Sequence, residues 1–290
     1  IKKNGESYYL ISEEKRREMV KRSVAAITDI YQNSILKDSS RNSFMIKRME
    51  DLADRTVWAM GEQLKCGDFV PFVFEHKFNM EVGDGDRKQL MSGTIDRVDI
   101  CENGTDVYVR IIDYKTGKKD FNIVKTYYGI DIQLMVYMEA AMKLVAKMRP
   151  GKNVIPAGVF YYNISDPIVS ATTESAEEIE DKIKGELRLK GMVNSDKDIA
   201  EKMDNTEGTS LNIPVSRKAD GGFDSRRSKV MNTEQFNMLG RFVDVRAVDT
   251  ADRIAGGDIR RSPYKDGQFS SCDRCPYGAV CGFSVDLPGC

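Results

Sequence analysis

The chain has 290 residues, with 44 Lys+Arg against 45 Asp+Glu, six Cys, a single His and a single Trp. Hydrophobic residues make up 41% and charged ones 31%, enough apolar material for one large or two small cores and far from the composition of a disordered chain. A formal charge of -1 excludes a uniformly basic nucleic-acid binder, and one His excludes chemistry that needs two imidazoles.

Met19, Val20, Val24, Ile27, Ile30, Tyr31 and Ile35 recur at three- and four-residue steps and predict a helix capped by Ser12. Phe44, Met45, Met49, Leu52, Thr56, Val57, Met60 and Leu64 predict a second helix, stopped by Gly67; both stripes are expected to be core faces. The period then becomes two. Phe72, Phe74, His76 and Phe78 fall on one face of a strand, with Val73, Glu75 and Lys77 on the other. A polar loop at Gly83-Asp84-Gly85-Asp86 leads to a second strand, about Met91 to Ile100, and Asn103-Gly104 is a hairpin turn signal. In the third strand Val107, Val109, Ile111, Asp113 and Lys115 point one way and Tyr108, Arg110, Ile112 and Tyr114 the other, until Gly117.

A helix is predicted from about Asp131 to Met148, closed by Pro150-Gly151, and a buried strand from Ala157 to Tyr162. Glu174 to Met203 reads as helical and charged, and Asp204 to Ser228 as a mobile or DNA-facing loop. Thr233 is the expected cap of a last long helix with Phe236, Leu239, Phe242, Val243 and Ile254 as its stripe. This order argues for one α/β or α+β domain with a Cys-bearing tail. No run reaches the ~18 apolar residues of a membrane span and no signal peptide is visible. The opening Ile1-Lys2-Lys3-Asn4 lacks an initiator Met, as expected of a fragment or processed product.

The third strand carries the sharpest chemical signal. Asp113 and Lys115 lie two residues apart, hence on one side of the sheet, and the hairpin brings Asp96 of the second strand toward them, depending on register. Two carboxylates and a lysine at a strand end suit divalent-metal phosphodiester chemistry: the carboxylates hold Mg²⁺, and the lysine orients the attacking water or offsets charge on the phosphate. The alternative is an exposed Asp–Lys pair of little consequence. Gln133 and Tyr137, four residues apart, share a helix face and are candidates to contact phosphate or base. Arg217-Lys218, Arg226-Arg227, Lys229 and Arg260-Arg261 are a candidate phosphate track, or simply a solvated loop.

Three cysteines cluster at Cys272, Cys275 and Cys281, with Cys290 at the end and Cys66 and Cys101 apart. A clustered trio in a chain without a signal reads as metal binding in a reducing cytosol, zinc being the default for such spacing. The sequons at Asn103 and Asn163 are then chance matches.

Gly93-Thr94-Ile95-Asp96-Arg97-Val98-Asp99, Ile112-Asp113-Tyr114-Lys115-Thr116-Gly117, Tyr128-Gly129 and Gln133-Leu134-Met135-Val136-Tyr137 resemble the RecB-like branch of the PD-(D/E)XK nucleases. Pro156 to Tyr162, Asp166-Pro167 and the terminal cysteine spacing resemble its AddB type, the nuclease domains of bacterial AddAB (RexAB) helicase–nucleases; the likeness runs from about Glu75 to Phe283. It implies an α/β, restriction-endonuclease-like core, a mixed central sheet flanked by helices, over residues 1–261. A Cys-rich iron–sulfur-type tail, 262–290, packs on the same domain.

The resemblance implies Asp96, Asp113 and the Tyr114 carbonyl as ligands of Mg²⁺ (or Mn²⁺) and Lys115 as the catalytic lysine. Glu75, Gln133 and Tyr137 are implied as supporting or DNA-contacting residues. It implies Cys272, Cys275 and Cys281 as three ligands of a [4Fe–4S] cluster whose fourth, in the family, lies far upstream, so no intact cluster is expected in this chain. The family's metal-site His is expected to lie upstream as well, leaving His76 a structural strand residue. The implied function is cleavage of a single DNA strand, delivered by a helicase partner of the AddA type, in double-strand break repair and recombination in the cytoplasm. No Gly-x-x-x-x-Gly-Lys-Ser/Thr motif is present to supply the motor. The competing readings are a non-catalytic DNA-binding or scaffold module of such a complex and a stand-alone Cas4-type iron–sulfur nuclease.

Overall fold

A computed structural model describes residues 11–30, 39–83, 88–170, 174–267 and 269–284. Ser12 accepts a hydrogen bond from the Lys15 N–H and starts helix α1, Glu13–Ile30. Ser39 does the same for α2, Ser40–Lys65, through the Asn42 N–H. Arg16 clamps α1 to α2 with a bidentate pair to Asp54, 2.8 and 3.0 Å. The expected core faces are only half realised. Ala59, Met60 and Leu64 are buried, but Ile27, Phe44, Met45 and Met49 face solvent. The predicted positions Tyr31 and Ile35, and most of the Gly83–Asp86 loop, lie outside the described residues.

Three strands follow: β1, Val70–Val82, β2, Gln89–Asn103, and β3, Asp106–Lys115. Asn103 pairs with Asp106, so the β2–β3 turn is the two-residue loop Gly104-Thr105, with Gly104 at φ +60° as a tight hairpin's first central residue requires. The short helix α3, Ile123–Tyr127, is capped by Asn122, and Gly129 (φ +75°) turns the chain into α4, Gln133–Met148. Then come β4, Asn153–Asn163, α5, Ala176–Glu186, β5, Lys190–Asn194, and α6, Lys197–Met203. The stretch expected to be helical through Met203 thus contains a strand, because Gly191 lets β5 lie against the Val159 carbonyl where any Cβ would collide.

Two residues, Val230–Met231, form β6, followed by α7, Thr233–Ala255. Asn232, not Thr233, is its cap, in a reciprocal capping box with Gln235. Ile254 of its expected stripe is exposed. The tail holds β7, Lys265–Asp266, β8, Phe269–Ser270, a 3-10 turn over Ser271–Arg274, and α8, Gly278–Cys281.

The first six strands form one sheet in the order β1-β2-β3-β4-β5-β6. It is mixed: β3–β4 and β5–β6 run parallel, the other neighbours antiparallel. Each face carries a core, as the alternation in β3 predicts. Val107, Val109 and Ile111 pack with Leu134, Met138, Phe236 and Val243 of α4 and α7. Tyr108 and Ile112 pack with Ala59 of α2, Phe160 and Ile199 of α6 on the other face.

The segment expected to be a mobile loop, 204–228, is largely packed into that second core. Ile213 and Val215 are fully buried in it, and Arg217 is committed to the carbonyls of Ala200, Asp204 and Thr206. Among the described residues no helix is long and apolar enough to cross a membrane.

Candidate active site

Beyond the last β2–β3 pair, Arg97 opposite Ile112, the next residue out on each strand sets Asp96 against Asp113. The Asp96 carboxylate accepts the Tyr114 N–H at 2.7 Å, taking the place of a ladder partner. Glu75 sits between Phe74, opposite Arg97, and His76, opposite Ile95, and therefore alongside Asp96. It has φ +48°, the one non-glycine left-handed residue among those described, which breaks the alternation expected for β1. On the far side Asp113 pairs with Tyr161 of β4, and Tyr161 with Lys190 of β5. One transverse row of the sheet thus reads Glu75, Asp96, Asp113, Tyr161, Lys190.

Asp113 is 2% exposed, and its Oδ2 lies 2.5 Å from Lys115 Nζ, an ion pair in which that oxygen has no well-aligned hydrogen-bond donor. Burial pushes the Asp113 carboxyl above the ordinary carboxylate range; Lys115 opposes this, and Asp96 and Asp131 add to it. Lys115 is 30% exposed, so the pair leads from the core to solvent.

On α4, Gln133 donates to Tyr137 Oη at 2.8 Å, and the Tyr137 ring meets Phe78 edge-on at 5.8 Å. Gly93 of β2 makes room for both rings: a Cβ there would lie 2.9 Å from Phe78 and 3.3 Å from Tyr137. Tyr114 points to the other face, where its Oη accepts from Arg97 at 3.3 Å. Arg97 and Arg110, both buried, share the Asp99 carboxylate, with Arg97 bidentate at 2.7 Å.

Sequence reasoning missed Asp131, Lys119 and Lys190 here. Asp131, 7% exposed just before α4, accepts from Tyr161 Oη at 2.8 Å and pairs with Lys119 Nζ at 2.8 Å. Lys115 and Lys119 lie 5.7 and 5.5 Å from the Tyr161 ring centre, so two Asp–Lys pairs share one buried tyrosine. No motif spacing marks this group; the parallel β3–β4 pairing assembles it.

The structure does not gather the cysteines. Cys272 and Cys275 are exposed, Cys281 is half-buried, all three thiols are free, and Cys290 lies outside the described residues. Among the described residues no three Cys, His, Asp or Glu side chains converge on one point. Cys66 and Cys101 are elsewhere, and burial pushes both thiols up. The basic track is largely consumed by ion pairs: Arg227 with Asp224, Lys229 with Asp120, Arg260 with Asp258.

The family model of the PD-(D/E)XK nuclease superfamily matches residues 6–282. The chain is 36% identical over 266 residues to an ATP-dependent helicase/deoxyribonuclease subunit of Clostridium botulinum (strain Hall), covering 88% of this chain and 23% of that protein. A protein of the same description from Thermoanaerobacter sp. (strain X514) is 35% identical over 266 residues, again 88% and 23%. One from Lachnoclostridium phytofermentans is 33% identical over 293 residues, 98% and 25%. The chain spans about a quarter of the length of these relatives.

Proposed function

From the premise that the chain belongs to the PD-(D/E)XK nuclease superfamily, we propose that it is a Mg²⁺-dependent deoxyribonuclease module that hydrolyses phosphodiester bonds at Asp96, Asp113 and Lys115. The observation that carries this reading is Asp113: a carboxylate buried beside a second carboxylate, with only one cation near it. Burying such a charge is costly unless something binds it. Mg²⁺ suits the residues present, because it keeps several waters and needs only one or two carboxylates.

Asp96, Asp113 and the Tyr114 carbonyl would hold the ion, which when bound polarises a phosphoryl oxygen and acidifies a water. Asp96 is aligned by the Tyr114 N–H. Lys115 Nζ, at the solvent edge, is placed to orient the attacking water and to offset charge growing on the phosphate. Glu75 supports the site from β1, its left-handed backbone being the kind of strain that collects at functional positions. Gln133 and Tyr137, already bonded to each other, form the wall on which the strand lies.

The names of the relatives support a place in a helicase–nuclease, with an AddA-type partner delivering a single DNA strand in double-strand break repair and recombination in the cytoplasm. Cys272, Cys275 and Cys281 supply three of the four thiolates that a [4Fe–4S] cluster takes. The described residues do not complete that set, so this assignment concerns the tail of residues 262–290 and not the cleavage chemistry of 1–261.

The test is cleavage of single-stranded DNA with Mg²⁺ by Asp113→Ala and Lys115→Ala. Each is expected to lose more than about a hundredfold in kcat, and EDTA is expected to abolish the wild-type reaction. Undiminished cleavage by either variant overturns the site.

A further inference from the structure

Immediately beyond Lys115 the chain turns through Thr116–Asp120 and forms one wall of a cleft of about 440 Å³; the end of β4 and the start of β5 form the other. The two walls are locked together. Asn163, paired in the sheet with Lys115, exchanges two 3.0 Å hydrogen bonds with the Lys119 backbone. Lys118, Lys119 and Lys190 line the cleft, facing the carboxylates Asp120 and Glu186. Asp120 is neutralised by Lys229 at 2.5 Å, and Lys119 is held at the mouth by Asp131, itself braced by Tyr161.

Lys118, exposed, and Lys190, half-buried, have no anionic partner among the described residues. The row Asp113–Tyr161–Lys190 puts Lys190 two strands from the buried aspartate and on the same side of the sheet. A cleft with two uncommitted ammonium groups, so close to a carboxylate site, asks for an anion continuous with whatever lies at that site.

We propose that this cleft is a phosphate subsite, taking the phosphodiester of a nucleic-acid strand that flanks the one at Asp113 and Lys115. Lys118 and Lys190 are its cationic contacts. Asp131 and Tyr161 are positioning residues that keep Lys119 at its mouth. The proposal rests on the reading of Asp113 and Lys115 as the cleavage centre and adds the path by which the strand leaves it. Contacts of this kind act by releasing counterions, so each is read as a salt-sensitive share of affinity rather than as a share of kcat.

The experiment is binding of a labelled single-stranded oligonucleotide, followed by fluorescence anisotropy in Ca²⁺ over a range of salt. Lys118→Ala and Lys190→Ala are each expected to weaken binding about threefold and to flatten the log–log salt slope by about 0.7. Glu186→Gln is expected to tighten binding, a change of sign that misfolding does not produce, and Lys47→Ala serves as a remote control. A single neutral methylphosphonate, stepped along the strand, is expected to weaken wild-type binding at one position and to have no effect there in the Lys118→Ala/Lys190→Ala protein. Wild-type affinity in the double variant, or the same methylphosphonate penalty in both proteins, overturns the subsite. A wrong cleavage centre shows separately, as an Asp113→Ala protein that still cuts.

Discussion

Asp113 is held where its charge is useful and costly at once. Burial raises its proton affinity, Lys115 lowers it, and Asp96 and Asp131 raise it again. The carboxylate needed to hold a cation therefore forms later as pH rises than an ordinary one, and the acid limb of cleavage is expected above the usual carboxylate range. Asp131→Asn removes one of the two nearby negative charges and is expected to move that limb to lower pH. A pH profile of kcat/KM checks it; a limb that stays in place or moves up contradicts the argument. The same shift sets a sign for stability. A carboxyl with a raised folded-state pKa contributes fully below its unfolded pKa, and the contribution is lost as pH rises through the folded one. Asp113→Asn is accordingly expected to raise Tm near pH 7 while abolishing cleavage, measured by calorimetry and assay on one preparation.

At the scale of elements, the β2–β3 hairpin carries the site on one face and a buried ion triad on the other. Burial works against every charge in the triad, yet the two guanidiniums hold the Asp99 carboxyl below the ordinary range, and Asp99 keeps Arg97 firmly protonated. Arg97 also reaches Tyr114, whose N–H aligns Asp96, so the triad supports the site through the sheet. Asp99→Asn leaves two buried cations uncompensated and is expected to cost about 3–5 kcal/mol, read from urea unfolding. This stabilisation is present above the unfolded Asp pKa and lost as pH falls through the folded one, the reverse of Asp113. Between α4 and α7 the balance is unfavourable. Burial, and then Asp244, raise the Glu139 carboxyl, and burial raises that of Asp244. Glu139→Gln is expected to raise Tm by a few degrees at pH 8 and to make no difference at low pH, where both carboxyls are neutral.

Across the whole molecule, both cores are built from residues that precede Ser262. The tail is attached by an aromatic chain, Tyr128 to Tyr264 at 5.1 Å and Tyr264 to Phe269 at 6.2 Å, with Lys125 Nζ 4.5 Å from the Phe269 ring centre. Removing 262–290 is therefore expected to leave cooperative unfolding with nearly the same urea m-value, since little core surface is lost. A broad or absent transition in the shortened chain would show the tail to be part of the folding unit. The exposed apolar residues of α1 and α2, Ile27, Phe44, Met45 and Met49, remain outside both cores.

Period and punctuation in the sequence were sufficient for what depends on neighbours in the chain. The alternation of β3, the Asn103-Gly104 turn signal, the Ser12 cap and the amphipathic α4 are all local, and so is the placing of Asp113 and Lys115 on one face. The Asp113–Lys115 spacing and the motifs around it identified the family for the same reason: a strand end two residues long already states its chemistry. What the chain could not state alone is which strands lie side by side. The pairing of Asp113 with Tyr161 and of Tyr161 with Lys190 spans crossovers through α4 and α5. So do the second Asp–Lys pair at Asp131 and Lys119, and the cleft beyond it. The loop 204–228 looked mobile because turn residues dominate it, and only the burial of Ile213 and Val215 against the far side of the sheet made it rigid. Side-chain chemistry follows from the residue, but proximity across a sheet follows from register, and register is settled by burial on both faces at once.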